Sequence, residues 1–367
     1  MTIARRQSVA VKIGNVQVGN SAPISIQSMT KTKTTDVRAT LEQIQALCRT
    51  GCDIVRVAVP DSASADALRE IVASSPCPIV ADVHYSATLA LMALEAGVHG
   101  LRLNPGNIER HDDVARIVEK AGQKHIPIRI GVNAGSLARG YRPQVEQGKM
   151  GLAEAMVASA REFINHFESM GFRQIKISLK ASDILTTVQA YQLLARECNY
   201  PFHVGITEAG VGRTGIIKSA VGLGILIFEG LADTIRVSLT GDPCQEVVVA
   251  KKILQSLRLT TDGPQVVSCP TCGRTDIDVE SIAIKVEEAL AEETMPLKIA
   301  IMGCVVNGPG EARDADVGIT GGKGVGLVFR KGEIVRKVPE AELVNALMEE
   351  VAKVKHEHLQ APRRSRS

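Results

Sequence analysis

The chain has 367 residues, enough for two domains or for one large barrel with an appendage, and long enough to bury a sizeable core. Hydrophobic residues make up 45% and charged residues 23%, both ordinary for a globular protein, while aromatics are only 3% with no Trp, which argues against a base-stacking nucleic-acid surface. The 43 basic and 40 acidic residues leave a formal charge of +3, too balanced for a coat that binds polyanions, so charge has to be read locally. No apolar run reaches the roughly 18 to 20 residues that span a bilayer, and MTIARRQSVAVKIGNV has no signal-peptide core. The expectation is a cytoplasmic protein with neither a membrane nor a nucleic acid as partner. Eight Cys in such a chain point to buried thiols and a few metal ligands rather than to a disulfide framework.

Eight short β-rich segments recur from about residue 23 to residue 243. In order they are PISIQSMT from Pro23, DIVRVAVP from Asp53, PIVADVHY from Pro78, GLRLNPGN from Gly100, PIRIGVNAG from Pro127, QIKISLKAS from Gln174, PFHVGITEAG from Pro201 and DTIRVSLTGDP from Asp233. The stretches between them, such as TLEQIQALCRTG, have helical apolar spacing and several end in Gly, as a helix C-terminus prefers. Eight βα units predict a parallel barrel. A doubly wound open sheet is the alternative, but its strands would be buried on both faces and nearly all apolar.

These strands instead alternate. In QIKISLK, Lys176, Ser178 and Lys180 share one face and Ile175, Ile177 and Leu179 the other. In DTIRVSLT, Arg236, Ser238 and Thr240 oppose Ile235, Val237 and Leu239. With the apolar face on the outer helices, the polar face points inward and lines the mouth at the C-terminal ends of the strands. The same parity collects Ser25 and Gln27, Arg56, Asp82 and His84, Arg102 and Asn104, Arg129 and Asn133, and His203. Four Arg and two Lys at one mouth repel one another unless an anion neutralises them, and the Arg forks suit phosphate oxygens, so a phosphate-rich ligand is expected. For a single Arg the plainer reading is an ion pair with Asp82 or Glu208.

The rhythm stops near SLRLTTDGPQVVS, and a small α+β module follows. The predicted division is a barrel over residues 1–257, a linker over 258–268, an α+β domain over 269–360 and a disordered tail over 361–367. The module reads as a helix in DIDVESIAIKVEEALAEE, a strand in LKIAIMGC, a loop in VNGPGEARDADVG, a hairpin in GVGLVFRKGEIVRKV and a final helix. The Gly-rich GITGGKGVG is read as turn chemistry, because it does not follow a strand and open a helix as a dinucleotide loop must.

Within this module Cys269 and Cys272 form a CxxC, and Cys304 follows a strand with Glu311 seven residues on. Three thiols with no His beside them disfavour zinc, and soft thiolates flanked by Pro and Gly suit an iron-sulfur cluster. A CxxC alone is equally compatible with a redox pair or structural zinc. Cys48, Cys52, Cys77, Cys198 and Cys244 are read as packing residues.

The combination of IQSMTKT, LRLNPGN, VGITEAG, SCPTCGRT and IMGCVVNGPGEARDADVGI closely resembles the bacterial 4-hydroxy-3-methylbut-2-en-1-yl diphosphate synthases of the non-mevalonate isoprenoid route, over residues 5 to 355. The resemblance is to the two-domain form. It implies an iron-sulfur oxidoreductase that opens the ring of 2-C-methyl-D-erythritol 2,4-cyclodiphosphate with two electrons and loss of water. It implies that Cys269, Cys272, Cys304 and a labile Glu311 hold a 4Fe-4S cluster. It further implies that Glu208 donates a proton, that flavodoxin or ferredoxin supplies electrons, and that the chain is a homodimer with the site shared between subunits. The basic mouth, Arg56, Asp82, His84, Arg102, Asn104, Arg129, Asn133, Ser178, Lys180, Arg236 and Ser238, would then hold the cyclic diphosphate. The competing expectations are a non-redox barrel of the pterin-synthase type with zinc in the Cys module, and a non-enzymatic iron-sulfur carrier.

Overall fold

Strands with one polar and one apolar face bury both faces when they close into a barrel wrapped by helices. The computed structural model describes residues 3–104, 111–138, 140–260, 263–291, 293–304, 312–322 and 324–360, and the chain divides into two compact units, residues 1–259 and 260–367. The first opens on an antiparallel hairpin of β1 (Val11–Ile13) and β2 (Val16–Val18), which was not anticipated. Strand and helix then alternate: β3 (Ser25–Met29), α1 (Val37–Thr50), β4 (Ile54–Ala58), α2 (Ser62–Ser74), β5 (Ile79–Asp82), α3 (Ala87–Glu95), β6 (Gly100–Leu103) and α4 (His111–Gln123). They continue as β7 (Ile128–Asn133), α5 (Tyr141–Glu146), α6 (Leu152–Ser169), β8 (Ile175–Lys180), α7 (Ile184–Ala195), β9 (His203–Val204), α8 (Gly212–Phe228), β10 (Thr234–Ile235) and α9 (Pro243–Ser256).

All pairings among β3 to β10 are parallel, in the order β8-β7-β6-β5-β4-β3-β10-β9. A bridge between Ile177 and Phe202 joins the two ends of that order, with Ile177 N–H donating to the Pro201 carbonyl at 3.0 Å. The expected (β/α)8 barrel is therefore present, with all eight predicted strands. Its outward positions, among them Val55, Val57, Ile79, Leu101, Ile130 and Leu179, are fully or almost fully buried against the helices. Each such aliphatic side chain contributes about 1.5–3 kcal/mol. Helix starts are fixed by carboxylates: Asp36, Asp61, Asp183 and Asp242 accept from the N–H groups of Ala39, Ser64, Thr186 and Cys244. At the N-terminal ends of β4 and β5 the inward residues Ile54 and Val80 are apolar, and Ile13 and Val18 of the hairpin pack on them. The hairpin thus closes the base of the barrel beneath β4 and β5.

In the second unit β11 (Gln265–Ser268), β12 (Lys298–Met302) and β13 (Val317–Gly322) run parallel, and β14 (Val325–Arg330) and β15 (Glu333–Pro339) complete the sheet antiparallel. Helices α10 (Val279–Ala289) and α11 (Leu343–Gln360) cover one face, where Ile299, Ile301, Val317 and Ile319 meet Val286, Leu347 and Val351. Ala300, Met302 and Phe329 occupy the opposite face with Ala312 and Ala315.

Three expectations are corrected. The segment 258–268 is not simply a linker, because Gln265–Ser268 is a sheet strand, half-exposed and so without a hydrophobic signal, and the unit boundary falls after Leu259. GITGG is part of strand β13 rather than a turn: a Cβ on Gly318 would lie 2.3 Å from the Phe329 ring and one on Gly321 2.4 Å from Ile277, so the missing side chains make room for the core. Cys48 and Cys77 are joined as a disulfide between the last turn of α1 and the approach to β5, with Cα atoms 6.4 Å apart, where packed thiols were expected. Neither the loop 305–311 nor the tail 361–367 lies within the described residues. Among the described residues no helix is long and apolar enough to cross a membrane.

One buried carboxylate ties the N-terminal arm to the barrel. Asp233 accepts from Arg5 Nη2 at 2.9 Å, Ser8 Oγ at 3.0 Å and the Phe202 N–H at 2.8 Å. Arg6 stacks over the Phe202 ring 3.9 Å from its centroid. Asp233→Ala removes the carboxylate that pairs with Arg5 and, at 3.9 Å, with Arg6, and takes the acceptor from the Ser8 hydroxyl and the Phe202 N–H; the expected loss is about 3–5 kcal/mol in urea unfolding followed by circular dichroism. A loss under about 1 kcal/mol would show that the arm is not anchored through this carboxylate.

Candidate active site

Strand register decides which inward residues meet. Asp82 on β5 aligns with Arg102 on β6, Arg102 with Arg129 on β7, and Arg129 with Lys176 on β8. Aligned residues of parallel strands point to the same face, so these four form one row inside the barrel. Asp82 ends its strand while Lys176 nearly begins its own, so the row runs from the mouth down toward the base, as strand tilt in a barrel requires. Two steps along β7 and β8, Gly131 aligns with Ser178, and Asn133 with Lys180.

The predicted residues of the row and the mouth are brought together. Asp82 lies 3.5 Å from Arg56 Nε and 3.2 Å from Arg102 Nη1, with His84 Nε2 at 3.5 Å. Burial would raise the Asp82 pKa, but Arg56, the His84 hydrogen bond, Arg102 and Arg129 hold it well below the carboxylate range. Arg56 also donates to the Met29 sulfur from Nε at 3.2 Å and from Nη2 at 3.0 Å. Arg102 Nη1 meets the His84 ring, Asn104 Nδ2 donates to Ser136 Oγ at 2.7 Å, and Arg129 Nη1 donates to Ser178 Oγ at 3.2 Å. Asn133 ends β7 half-buried, and Arg236 and Ser238 follow β10 half-buried.

The charges do not balance. Among the described residues no carboxylate lies within 4 Å of Arg129, Lys176, Lys180 or Arg236, although the first three are buried. Burial, and then Arg56 and Arg102, push Arg129 well down; burial, and then Arg236 and Arg129, do the same to Lys180. Burial and Arg56 lower Arg236 to about 10. His203, fully buried, is also pushed well down by burial and by Arg129, Lys180 and Lys176, so it is neutral. Buried donors are left without protein partners: Arg129 Nε and Nη2, Arg102 Nε and Arg236 Nε. Such a set is built to receive a multiply charged acceptor.

Reading by residue type missed the supports. A Cβ on Gly131 would lie 2.9 Å from Arg102 Nε, and one on Gly205 would lie 3.3 Å from Lys180 Nζ, so both glycines leave space for the cations. Glu246 in the first turn of α9 is buried, accepts from Ser28 Oγ at 2.9 Å and from the Leu239 N–H at 3.1 Å, and pairs with Lys31 at 3.2 Å, fixing the loop after β10. Its apparent helix-surface position hid it. Glu208 sits in the loop between β9 and α8 with a left-handed φ of 53°, and its side chain is exposed. That conformation costs a non-glycine residue of order 1 kcal/mol or more and persists where surroundings impose it.

In the second unit, Cys269 follows β11 and Cys304 ends the segment after β12, at the same end of two paired parallel strands. Gly303 N–H donates to Cys269 Sγ at 3.1 Å, and the Cys269 N–H donates to the Ile301 carbonyl at 3.1 Å. Cys272 is exposed, and the Arg274 backbone and side chain lower its thiol pKa, favouring thiolate. Cys304 is buried. Among the described residues no group of three or more His, Cys, Asp or Glu side chains is placed to hold a single metal ion. Thiolates at neighbouring strand ends with a backbone N–H aimed at sulfur do fit an iron-sulfur group, whose ligands sit on different irons. Glu311 lies outside the described residues.

Two family models match the chain: the GcpE TIM-barrel domain over residues 8–251 and the GcpE protein C-terminal domain over residues 265–353. A protein of Geobacter sulfurreducens named 4-hydroxy-3-methylbut-2-en-1-yl diphosphate synthase (flavodoxin) is 55% identical over 94% of this chain and 97% of its own length. Proteins of the same name from Dehalococcoides mccartyi and Aquifex aeolicus are 52% and 47% identical, each over 95% of this chain and 99% and 97% of their own. Among solved structures, the Yersinia pestis dihydropteroate synthase aligns with a TM-score of 0.48 and 12% identity over 68% of this chain and 99% of that one, too loose a likeness to bear on activity. Both units are matched by models of one family, and relatives of nearly full length carry one name: the chain belongs to the GcpE family.

Proposed function

We propose that the chain catalyses the two-electron reductive ring opening of 2-C-methyl-D-erythritol 2,4-cyclodiphosphate, with loss of water, to the allylic diphosphate, drawing its electrons from flavodoxin. The observation that carries the substrate class is the row of buried, mutually repelling cations with unpartnered donors inside the barrel. A cyclic diphosphate places its negative charge in one compact group, which such a row neutralises with little reorganisation.

Each residue then has a task. Arg102, Arg129, Lys180 and Arg236 bind phosphate oxygens, with Ser178, Asn104 and Asn133 adding neutral donors. Asp82 holds Arg56 and Arg102 apart from one another and orients their forks. His84 joins that pair from the exposed rim, and Ser238 completes the mouth beside Arg236. Glu208, held in its strained loop, is the proposed proton donor to the departing oxygen. Cys269, Cys272, Cys304 and Glu311 are the proposed ligands of a 4Fe-4S cluster, which supplies electrons one at a time when bound. The working unit in this reading is a cytoplasmic homodimer.

Replacing Arg102 by Ala should lower kcat/KM about 10- to 150-fold, the loss of one charge-assisted contact worth about 1.5–3 kcal/mol, without changing the circular dichroism spectrum. A change of less than twofold would remove Arg102 from the binding set. Cys304→Ser should abolish activity together with iron and acid-labile sulfide content in protein prepared without oxygen. Glu311→Gln should retain a cluster with altered spectra and low activity, and a variant indistinguishable from wild type in both would end the carboxylate-ligand assignment.

A further inference from the structure

Deep in the barrel a second polar group lies away from the mouth. Gln27 on β3, Arg129 on β7 and Lys176 on β8 line a small cavity whose other walls are apolar, Ile13 of the basal hairpin among them. It leaves about 10 Å³ for the centre of a water-sized sphere, room for one small occupant. The three polar side chains are 1%, 3% and 2% exposed. Both amide atoms of Gln27 and two guanidinium nitrogens of Arg129 have no hydrogen-bond partner, and Lys176 Nζ donates to Thr234 Oγ1 at 3.3 Å.

The chemistry of this lining selects its occupant. Lysine and arginine only donate, and Gln27 adds an NH₂ group, so Gln27 Oε1 is the one acceptor among the three side chains. A water molecule has two protons to place and finds one acceptor here; an anion has none to place. Arg129 and Lys176 are also register partners with no carboxylate within 4 Å among the described residues, so their repulsion is relieved by negative charge between them. The geometry points to a monatomic anion of chloride size bound between Gln27, Arg129 and Lys176, beneath the diphosphate site, with Arg129 standing between the two. The anion offsets the Arg129 charge from below, while Nη1 donates to Ser178 Oγ on the side of the mouth.

Bromide is the probe. In crystals of the full enzyme soaked in bromide, anomalous scattering should show a peak in this cavity within contact distance of Lys176 Nζ. At constant ionic strength, exchanging acetate for bromide should raise the Tm of wild type by about 2 °C or more and leave Lys176→Met unmoved. A cavity without an anomalous peak overturns the proposal, and a peak at exposed residues alone marks an adventitious ion only. An equal Tm rise in both proteins overturns the stabilising role of the site. Should Lys176→Met not fold, the wild-type map decides.

Discussion

Positive charge enclosed within a closed barrel is the constraint on which the rest of this structure depends. Coulomb repulsion between guanidinium and ammonium groups a few ångströms apart grows as water is excluded, and burial penalises each charge separately. Asp82 offsets part of this for Arg56 and Arg102, and Glu246 acts on Arg236 at longer range. The depressed pKa values of Arg129, Lys176 and Lys180 express what is left. A site of this kind is stabilised by its ligand, and that links the architecture to an anionic substrate.

The scaffold tolerates the penalty because stability is supplied elsewhere. The outward faces of the strands bury a continuous aliphatic layer against the helices, and the hairpin of β1 and β2 seals the base with Ile13 and Val18. Asp233 holds the N-terminal arm against β9 and β10, the two shortest strands of the barrel. With the wall fixed from outside, the inner positions are free to carry chemistry, and small residues such as Gly131 and Gly205 give the long cations their space.

Much of this was legible in the sequence. Period-two alternation in QIKISLK and DTIRVSLT assigned inward and outward faces, and the register places Arg102, Arg129 and Lys176 in one row as that parity required. What escaped notice had no chemical signature. A glycine that makes room for Arg102 resembles any other glycine, Glu246 resembles a solvated helix residue, and a half-exposed QVVS resembles a linker. The Gly-rich strand β13 was hidden because its core contacts are made by Phe329 and Ile277 filling the space above glycines. The disulfide of Cys48 and Cys77, 29 residues apart, follows from adjacency in three dimensions that spacing does not encode.

The central claim is that the buried cations of the barrel, unpaired by protein carboxylates, are assembled for a diphosphate that neutralises them. Calorimetric titration of 2-C-methyl-D-erythritol 2,4-cyclodiphosphate into the enzyme, in buffers of different ionisation enthalpy, measures protons exchanged on binding. An anion raises the pKa of a buried amine that it meets, and burial and neighbouring cations lower that of Lys180 without one, so the account predicts tight binding with net proton uptake. Tight binding with no proton uptake, or no binding at all, would contradict it.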